Sequence, residues 1–340
     1  MKHTVVGVDI AKSVFQIHSV DLETGEIISK QLKRARLLEY FANRKPCLIG
    51  MEACGGSQHW ARCLTAMGHQ VKLMPGNAVK AFVTGNKNDV GDAKAIWTAV
   101  QQPGVRAVAI KTEEQQAVLA MHRMRQQLVK FRTMQSNGLR GLMMEYGEVM
   151  AVGRAALNRA MPDALARLNK RLPAMLIASL RQQWEMLSKL DEQIAHIEQR
   201  LLDWMKQDKA CKTIAAIPGV GMLTATAVVA SMGDAKAFRC AREFAAWLGL
   251  VPRQCGTGGR VRLLGISKRG DTYLRTLLIH GARAVLTHAK EPGAWIAQLA
   301  KRRPPNVVTV ALANKMARTI WALLAHGREY SNTHVSVGPA

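Results

Sequence analysis

At 340 residues, with 48% hydrophobic and 21% charged residues, the chain has ordinary globular composition and is long enough for two domains, or one large domain with an extension. Its 48 Lys and Arg against 24 Asp and Glu leave a net charge of +24, spread along the sequence, which points to a polyanion such as nucleic acid ahead of a membrane or ribosomal surface. Six cysteines without a C-x-x-C pair give a zinc ribbon no support and suit free thiols in a reducing compartment, and neither a leader pattern nor an uninterrupted apolar span is present, so the expectation is a soluble cytoplasmic protein with no membrane partner.

In chain order, three strands are expected at His3 to Ile10, Ser13 to Val20 and Glu26 to Gln31, the last two joined by the turn-forming Asp21 to Gly25. A basic helix over Arg34 to Asn43 and a strand from Cys47 to Met51 ending in Glu52 come next. A helix from Gln58 to Met67, a strand from Gln70 to Met74 and a helix over Asn77 to Val83 then follow. Three meandering strands followed by alternating helices and strands describe an α/β domain with a mixed sheet over residues 1–110.

From Thr112 to about Lys209 strand signals vanish, and Leu180, Trp184, Leu187, Leu190, Ile194, Ile197 and Leu201 recur at spacings of three and four. Residues 111–210 therefore read as an all-α, coiled-coil-like arm. Its seam closes either within the chain or against a second copy, and the arm implies a homo-oligomer, a dimer or tetramer. Residues 211–330 are basic, helical and punctuated by glycine. Here Ile217-Pro218-Gly219-Val220-Gly221 resembles a helix-hairpin-helix turn, where Gly219 and Gly221 would let backbone N–H groups approach a phosphate. Residues 331–340 form a polar tail, expected to be disordered.

Acidic residues carry the chemistry. Asp9 ends the β-branched run Val5, Val6, Val8, and Glu52 ends Leu48-Ile49-Gly50-Met51, so two carboxylates sit at two strand ends. Asp89 and Asp92, three apart, share one helix face. Taken singly, each is a cap. Together they offer oxygen ligands to a hard divalent cation, Mg2+ or Mn2+, in the service of phosphoryl displacement.

The segments Gly-Val-Asp-Ile-Ala-Lys at 7–12, Met-Glu-Ala-Cys-Gly at 51–55 and Lys-Asn-Asp-Val-Gly-Asp-Ala at 87–93 resemble the DEDD transposases of bacterial insertion sequences, related to the Piv invertases. The resemblance extends to Ile217 to Gly221, Phe244 to Arg253 and Gly265 to Asp271, which are similar to the C-terminal transposase domain of that family. It implies a RuvC-like domain of RNase H-like fold with Asp9, Glu52, Asp89 and Asp92 as metal tetrad. It further implies a recombinase acting on donor and target DNA, in some members with a structured guide RNA, and a hydroxyl nucleophile from the C-terminal domain.

Where relatives carry that nucleophilic serine, the loop Pro252 to Arg260 here offers Thr257 among Gly256, Gly258 and Gly259. Ser267 and Cys255 are the alternatives, and a purely phosphate-binding role for Thr257 stays open. Arg253, Arg260, Arg262, Lys268 and Arg269 surround it as a phosphate-binding face, which Tyr273 and Arg275 would continue. Two other readings compete with a recombinase: a resolvase-type structure-selective nuclease using the acids alone, and a non-catalytic nucleic-acid scaffold. A sugar-kinase or actin-like opening fits less well, because Ile10 and Ala11 stand where the phosphate turn wants glycine.

Overall fold

The computed structural model describes residues 4–21, 23–86, 88–289 and 293–331, in two compact units, residues 1–114 and 115–340. The expected start of the first strand at His3, Lys87 of the acidic helix motif and residues 332–340 of the tail lie outside the described residues.

The first unit is built on a five-stranded mixed sheet in the order β3-β2-β1-β4-β5: β1 Val5–Ile10, β2 Val14–Val20, β3 Ile27–Lys33, β4 Leu48–Glu52 and β5 Gln70–Met74. The first three strands run antiparallel as a meander, and β4 and β5 join parallel to β1. This mixed α/β arrangement is consistent with the RNase H-like expectation. Side chains alternate across a strand. Val6, Val8, Phe15, Ile17, Ile49 and Met51 accordingly fill one face, against α1 Leu37–Ala42 and α2 Ser57–Ala66. The basic helix expected over Arg34 to Asn43 is shorter than its pattern, because Arg34–Arg36 winds as a 3-10 turn. Likewise only Gly76–Val79, α3, is α-helical in the segment expected to reach Val83, with Lys80–Phe82 again 3-10.

The opposite face carries α4, Asp89–Val100, and the reason is glycine. Gly7 and Gly50 are register partners on β1 and β4. A Cβ on Gly7 would stand 2.3 Å from the Ala93 carbonyl oxygen, and one on Gly50 would stand 2.8 Å from Val100 Cβ. The paired glycines thus form a shallow seat into which α4 settles at backbone contact. Trp97 locks it by donating its indole N–H to the Val5 carbonyl at 3.2 Å and by setting its ring edge-on to His18.

The second unit opens with three helices: α5 Glu113–Glu145, which begins within the first unit's last residues, α6 Arg154–Leu168 and α7 Ala174–Gln207. The apolar stripe on α7 is satisfied inside the chain. Leu180 and Leu187 pack with Leu139, Met143, Leu157 and Met161, while Ile197 and Leu201 pack with Val118 and Ala230. Large apolar side chains stay exposed on both long helices, Met175 and Met186 on α7 and Met124, Phe131, Met134, Leu142 and Met144 on α5.

The largest core cluster joins α8 Lys209–Ala215, α9 Met222–Met232, α10 Ala241–Trp247, α11 Thr272–His288 and α13 Pro305–His326, with the short α12 Ala294–Ala300 alongside. By length and composition α13 is apolar enough to cross a membrane. Its Leu312, Ala313, Met316, Ala317 and Ile320 are instead core residues of this unit. Between α10 and α11 stands a two-stranded antiparallel hairpin, β6 Pro252–Thr257 and β7 Arg260–Ile266.

Candidate functional site

Sheet register brings the first two acids together. Val8 pairs with Met51, so the next residues of the neighbouring parallel strands, Asp9 and Glu52, leave the sheet side by side on the Gly7 and Gly50 face. That is the face against which α4 lies. Asn88 caps α4, its side-chain oxygen accepting from the Gly91 N–H at 2.7 Å. A residue other than Asp89 therefore does the capping, and Asp89 and Asp92 are left as acids of the first turn.

Electrostatics report the convergence. The Asp9 carboxyl is pushed up to about 6, first by burial and then by the negative charges of Asp92, Asp89 and Glu52. Among the described residues no Lys or Arg makes a salt bridge to any of the four. No group of three His, Cys, Asp or Glu side chains among them is so placed that it could hold a metal ion as it stands. The donor set itself, four carboxylates, is of the hard oxygen type that suits Mg2+ or Mn2+.

Two further residues lie close to these acids, Gly76 with no sequence signal and Cys54 within the Met-Glu-Ala-Cys-Gly segment. Gly76, the first residue of α3, lies against Glu52: a Cβ there would stand 2.7 Å from Glu52 Oε1. Cys54, two residues after Glu52, has its thiol pushed up by burial, by Glu52 and by Asp9, which places it within the electrostatic reach of both acids.

The cationic candidates of the second unit lie on the β6–β7 hairpin and the loop after it, a correction to the expected glycine loop. Gly258 and Gly259 both have positive φ, 55° and 75°, the two-residue turn that matches strand twist. Thr257 pairs with Arg260 and Cys255 with Arg262, so these four share one exposed face of the hairpin. Gly256 pairs with Val261 and Gln254 with Leu263 on the other face, where Val261 and Leu263 are exposed. Arg253 precedes them beside a register irregularity between Pro252 and Gln254. Ser267 stands apart from that face, its N–H bonded to the Val251 carbonyl and its hydroxyl oxygen accepting from the Arg269 N–H.

Lys268 and Arg269 are exposed on a loop held by backbone contacts. Among the described residues Lys268 is the one non-glycine at positive φ, 54°, and its N–H donates to the Gly249 carbonyl. Arg275 does not continue the phosphate face. It is 7% exposed, and its guanidinium donates to the carbonyls of Leu248 and Arg269 and to the Thr272 hydroxyl, pinning the loop from inside. Tyr273 is also engaged. Thr226 donates its one hydroxyl proton to the Met222 carbonyl, so it accepts from His122 Nε2, leaving His122 Nδ1 to accept from the Tyr273 hydroxyl at 2.9 Å. Burial, with Arg125 nearby, holds His122 down to about 4.

In the Ile217 to Gly221 turn the two glycines part company. Gly219, with φ 86°, packs on Gly281 of α11, where a Cβ would meet the Gly281 carbonyl oxygen at 2.7 Å. Gly221 is exposed, caps α9 without a side-chain hydrogen bond and has open space around it.

A family model described as "Transposase IS116/IS110/IS902 family" matches residues 211–295, and the DEDD transposase model of the same IS110 group, described as "Transposase", matches residues 6–148. A "Probable family 20 transposase" of Pseudomonas aeruginosa is 47% identical over 327 residues, covering 94% of this chain and 96% of the relative. The chain belongs to the IS110-type transposases. The transposase of insertion sequence element IS1111A from Coxiella burnetii is 43% identical over 331 residues, covering 96% of this chain and 91% of its own. That of IS1328 from Yersinia enterocolitica is 36% identical over 332 residues, with 96% and 98% covered. This transposase is thus an enzyme of DNA transposition, and its DEDD-type family points to a divalent metal. The acids lie within one matched segment, and Thr257 and the cationic residues lie within the other.

Proposed function

We propose that this IS110-type transposase cleaves and rejoins DNA with Asp9, Glu52, Asp89 and Asp92 holding Mg2+ or Mn2+, and with the Thr257 hydroxyl as nucleophile. The observation that carries the acidic part is the Asp9 carboxyl, raised to about 6 by burial and then by the charges of Asp92, Asp89 and Glu52, carboxylates from two other elements. A bound divalent cation supplies charge neutralisation at the scissile phosphate and at the attacking and leaving oxygens. Thr257 Oγ1 forms a bond to phosphorus, the bond to one deoxyribose oxygen breaks, the threonine proton leaves to solvent and the departing oxygen takes one up. A strand hydroxyl then attacks the threonyl phosphodiester, reforms a DNA bond and returns the proton. One phosphodiester replaces another, so no external energy source is needed.

Support for Thr257 comes from its place on the same hairpin face as Arg260 and Arg262, where a backbone phosphate meets two guanidinium groups. Cys255 shares that face, and its thiol is the second candidate; Ser267, off that face, is the third. Arg253, Lys268 and Arg269 extend the phosphate contacts, and Gly221 offers the open helix end. Gly219, set against Gly281, is a packing residue in this reading. The family resemblance supports a guide RNA that pairs with donor and target. The half-exposed Met124, Phe131, Met134 and Leu142 on α5 support assembly into a dimer or tetramer. A cytoplasmic location follows from acting on bacterial DNA.

The deciding experiment traps a covalent protein–DNA adduct on a nicked or bubbled junction substrate with Mg2+ and the element's flanking RNA, using wild type, Thr257→Ala and Asp9→Ala. An adduct in wild type that both substitutions abolish is the expected result. Magnesium-dependent cleavage without an adduct leaves the four acids as the whole catalyst, as in a resolvase-type nuclease.

A further inference from the structure

We propose that the groove between the base of the β6–β7 hairpin and α13 is a pocket for one unpaired nucleobase, with the phosphate of the same nucleotide held at its rim. The inference rests on the nucleic-acid reading above and concerns residues that the acids and the nucleophile leave unused. The cavity measures about 870 Å3, in the range of sites that enclose a small ligand. Its floor is aliphatic, with Leu264 and Ile266 of β7 facing Val307 and Val310 of α13.

One wall is Trp295 of α12, 41% exposed although it is the largest apolar side chain nearby. An indole left half open beside an aliphatic slot offers a π-face to a flat, π-faced ligand, and every nucleobase is one. Lys315 Nζ rests over the Trp295 ring, 4.8 Å from its centroid. A base stacking on Trp295 either uses the other face of the ring or takes the place of this ammonium, which then meets the incoming phosphate.

Polar groups at the rim agree with a nucleotide. Lys315 and Arg318 supply two cations three residues apart on α13, Asn306 supplies a carboxamide able to donate to and accept from a base edge, and among the described residues no carboxylate lines the cavity. An acidic or purely apolar protein segment would account for one half of this lining and not the other. The pocket is also continuous with the phosphate-binding hairpin: Leu264 to Ile266 follow Arg262 on the same strand by two to four residues, about 7–13 Å. A strand engaged by Arg260 and Arg262 therefore runs toward the groove.

Anisotropy titrations of the full-length protein test this with three fluorescent duplexes, each made in DNA and in RNA. One is fully paired, one carries a single-nucleotide bulge, and one carries an abasic bulge of the same length. Wild type should prefer the base-bearing bulge to the abasic one by about tenfold, the effect of one aromatic stack. Trp295→Ala should erase the preference while leaving paired-duplex affinity and its salt dependence unchanged, and Trp295→Phe should retain most of it. Lys315→Gln should instead lower the slope of log affinity against log salt by about one. The DNA and RNA arms show which strand supplies the base. Equal binding of base-bearing and abasic bulges in both arms overturns the proposal, as does a preference that survives Trp295→Ala. If duplex binding stands while the preference is absent, only the pocket falls; if no duplex binds at all, the nucleic-acid reading falls with it.

Discussion

The two units hold charge in opposite ways. In the first, four acids from positions 9, 52, 89 and 92 converge without a salt bridge to Lys or Arg among the described residues, and they are held there by strand register and by a helix seated on two glycines. In the second, the cations from Arg253 to Arg269 occupy one hairpin and its following loop, exposed to water, so local sequence alone gathers them. Acids forced together need tertiary packing strong enough to resist their repulsion, whereas solvated cations need only a turn. The acidic site is therefore the part of the molecule that depends on the fold, and the part that a cation should stabilise.

The largest test of that contrast is Asp9→Asn. DNA cleavage should fall on the order of a thousandfold. The metal-free protein should nevertheless melt higher near pH 7.5, since one of four repelling charges is gone, and the gain in melting temperature that Mg2+ gives wild type should shrink or vanish. A lower melting temperature for the metal-free variant would break the idea that the cluster is under electrostatic strain.

Next in size is Gly7→Ala. Its methyl meets the Ala93 carbonyl, a backbone atom that cannot swing aside, so the first unit should lose about 1–3 kcal/mol. Hydrogen exchange should show the loss in β1, β4 and α4, with the core of the second unit unaffected. Equal loosening of both units would show that the glycine seat is not specific to the acidic site.

Gly76→Ala should do less to the fold and more to the site. The methyl meets the free end of the Glu52 side chain, which can rotate away. Melting should change by less than about 1 kcal/mol while cleavage falls roughly tenfold or more, because a displaced ligand costs rate without costing structure. The Mg2+ concentration needed for half-maximal rate should rise. Unchanged metal dependence would return Gly76 to a purely local role.

The smallest effect is a divergence with pH. Asp9, raised from 3.8 to about 6, contributes stability through its protonated form; that contribution is complete below 3.8 and is lost as pH rises through 6. His122, lowered from 6.5 to about 4, contributes through its neutral form, complete above 6.5 and lost as pH falls toward 4. From pH 6.5 down to 4.5, exchange protection corrected for intrinsic rate should rise in β1 and fall in α9. Parallel changes in both would contradict the assignment.

Much of the first unit is legible from sequence because its signals are local. β-branched runs mark β1 and β4, an acid closes each, and spacing puts Asp89 and Asp92 on one helical turn. Asn88 in front of Asp89 was equally readable as the cap that frees the aspartate. In the second unit the hairpin was missed although Gly258-Gly259 between strand-like residues is a turn signal, because the run of glycines reads first as a loop. The packing of Gly219 on Gly281 and the inward turn of Arg275 join segments far apart in sequence, and no window of sequence contains both partners. The α7 stripe gave its periodicity and withheld its partner, since a buried seam looks the same whether one chain fills it or two.

The glycine seat has a consequence for timing. Gly7 and Gly50 make a seat only once β1 and β4 have paired, and α4 is synthesised some forty residues after Gly50. Asp9 and Glu52 thus leave the ribosome as two ordinary solvated acids, and Asp89 and Asp92 reach them last, when the helix docks. On the proposed reading of these acids, a chain in which α4 has not docked keeps its carboxylates apart, so the capacity to cut DNA would arrive together with the finished domain.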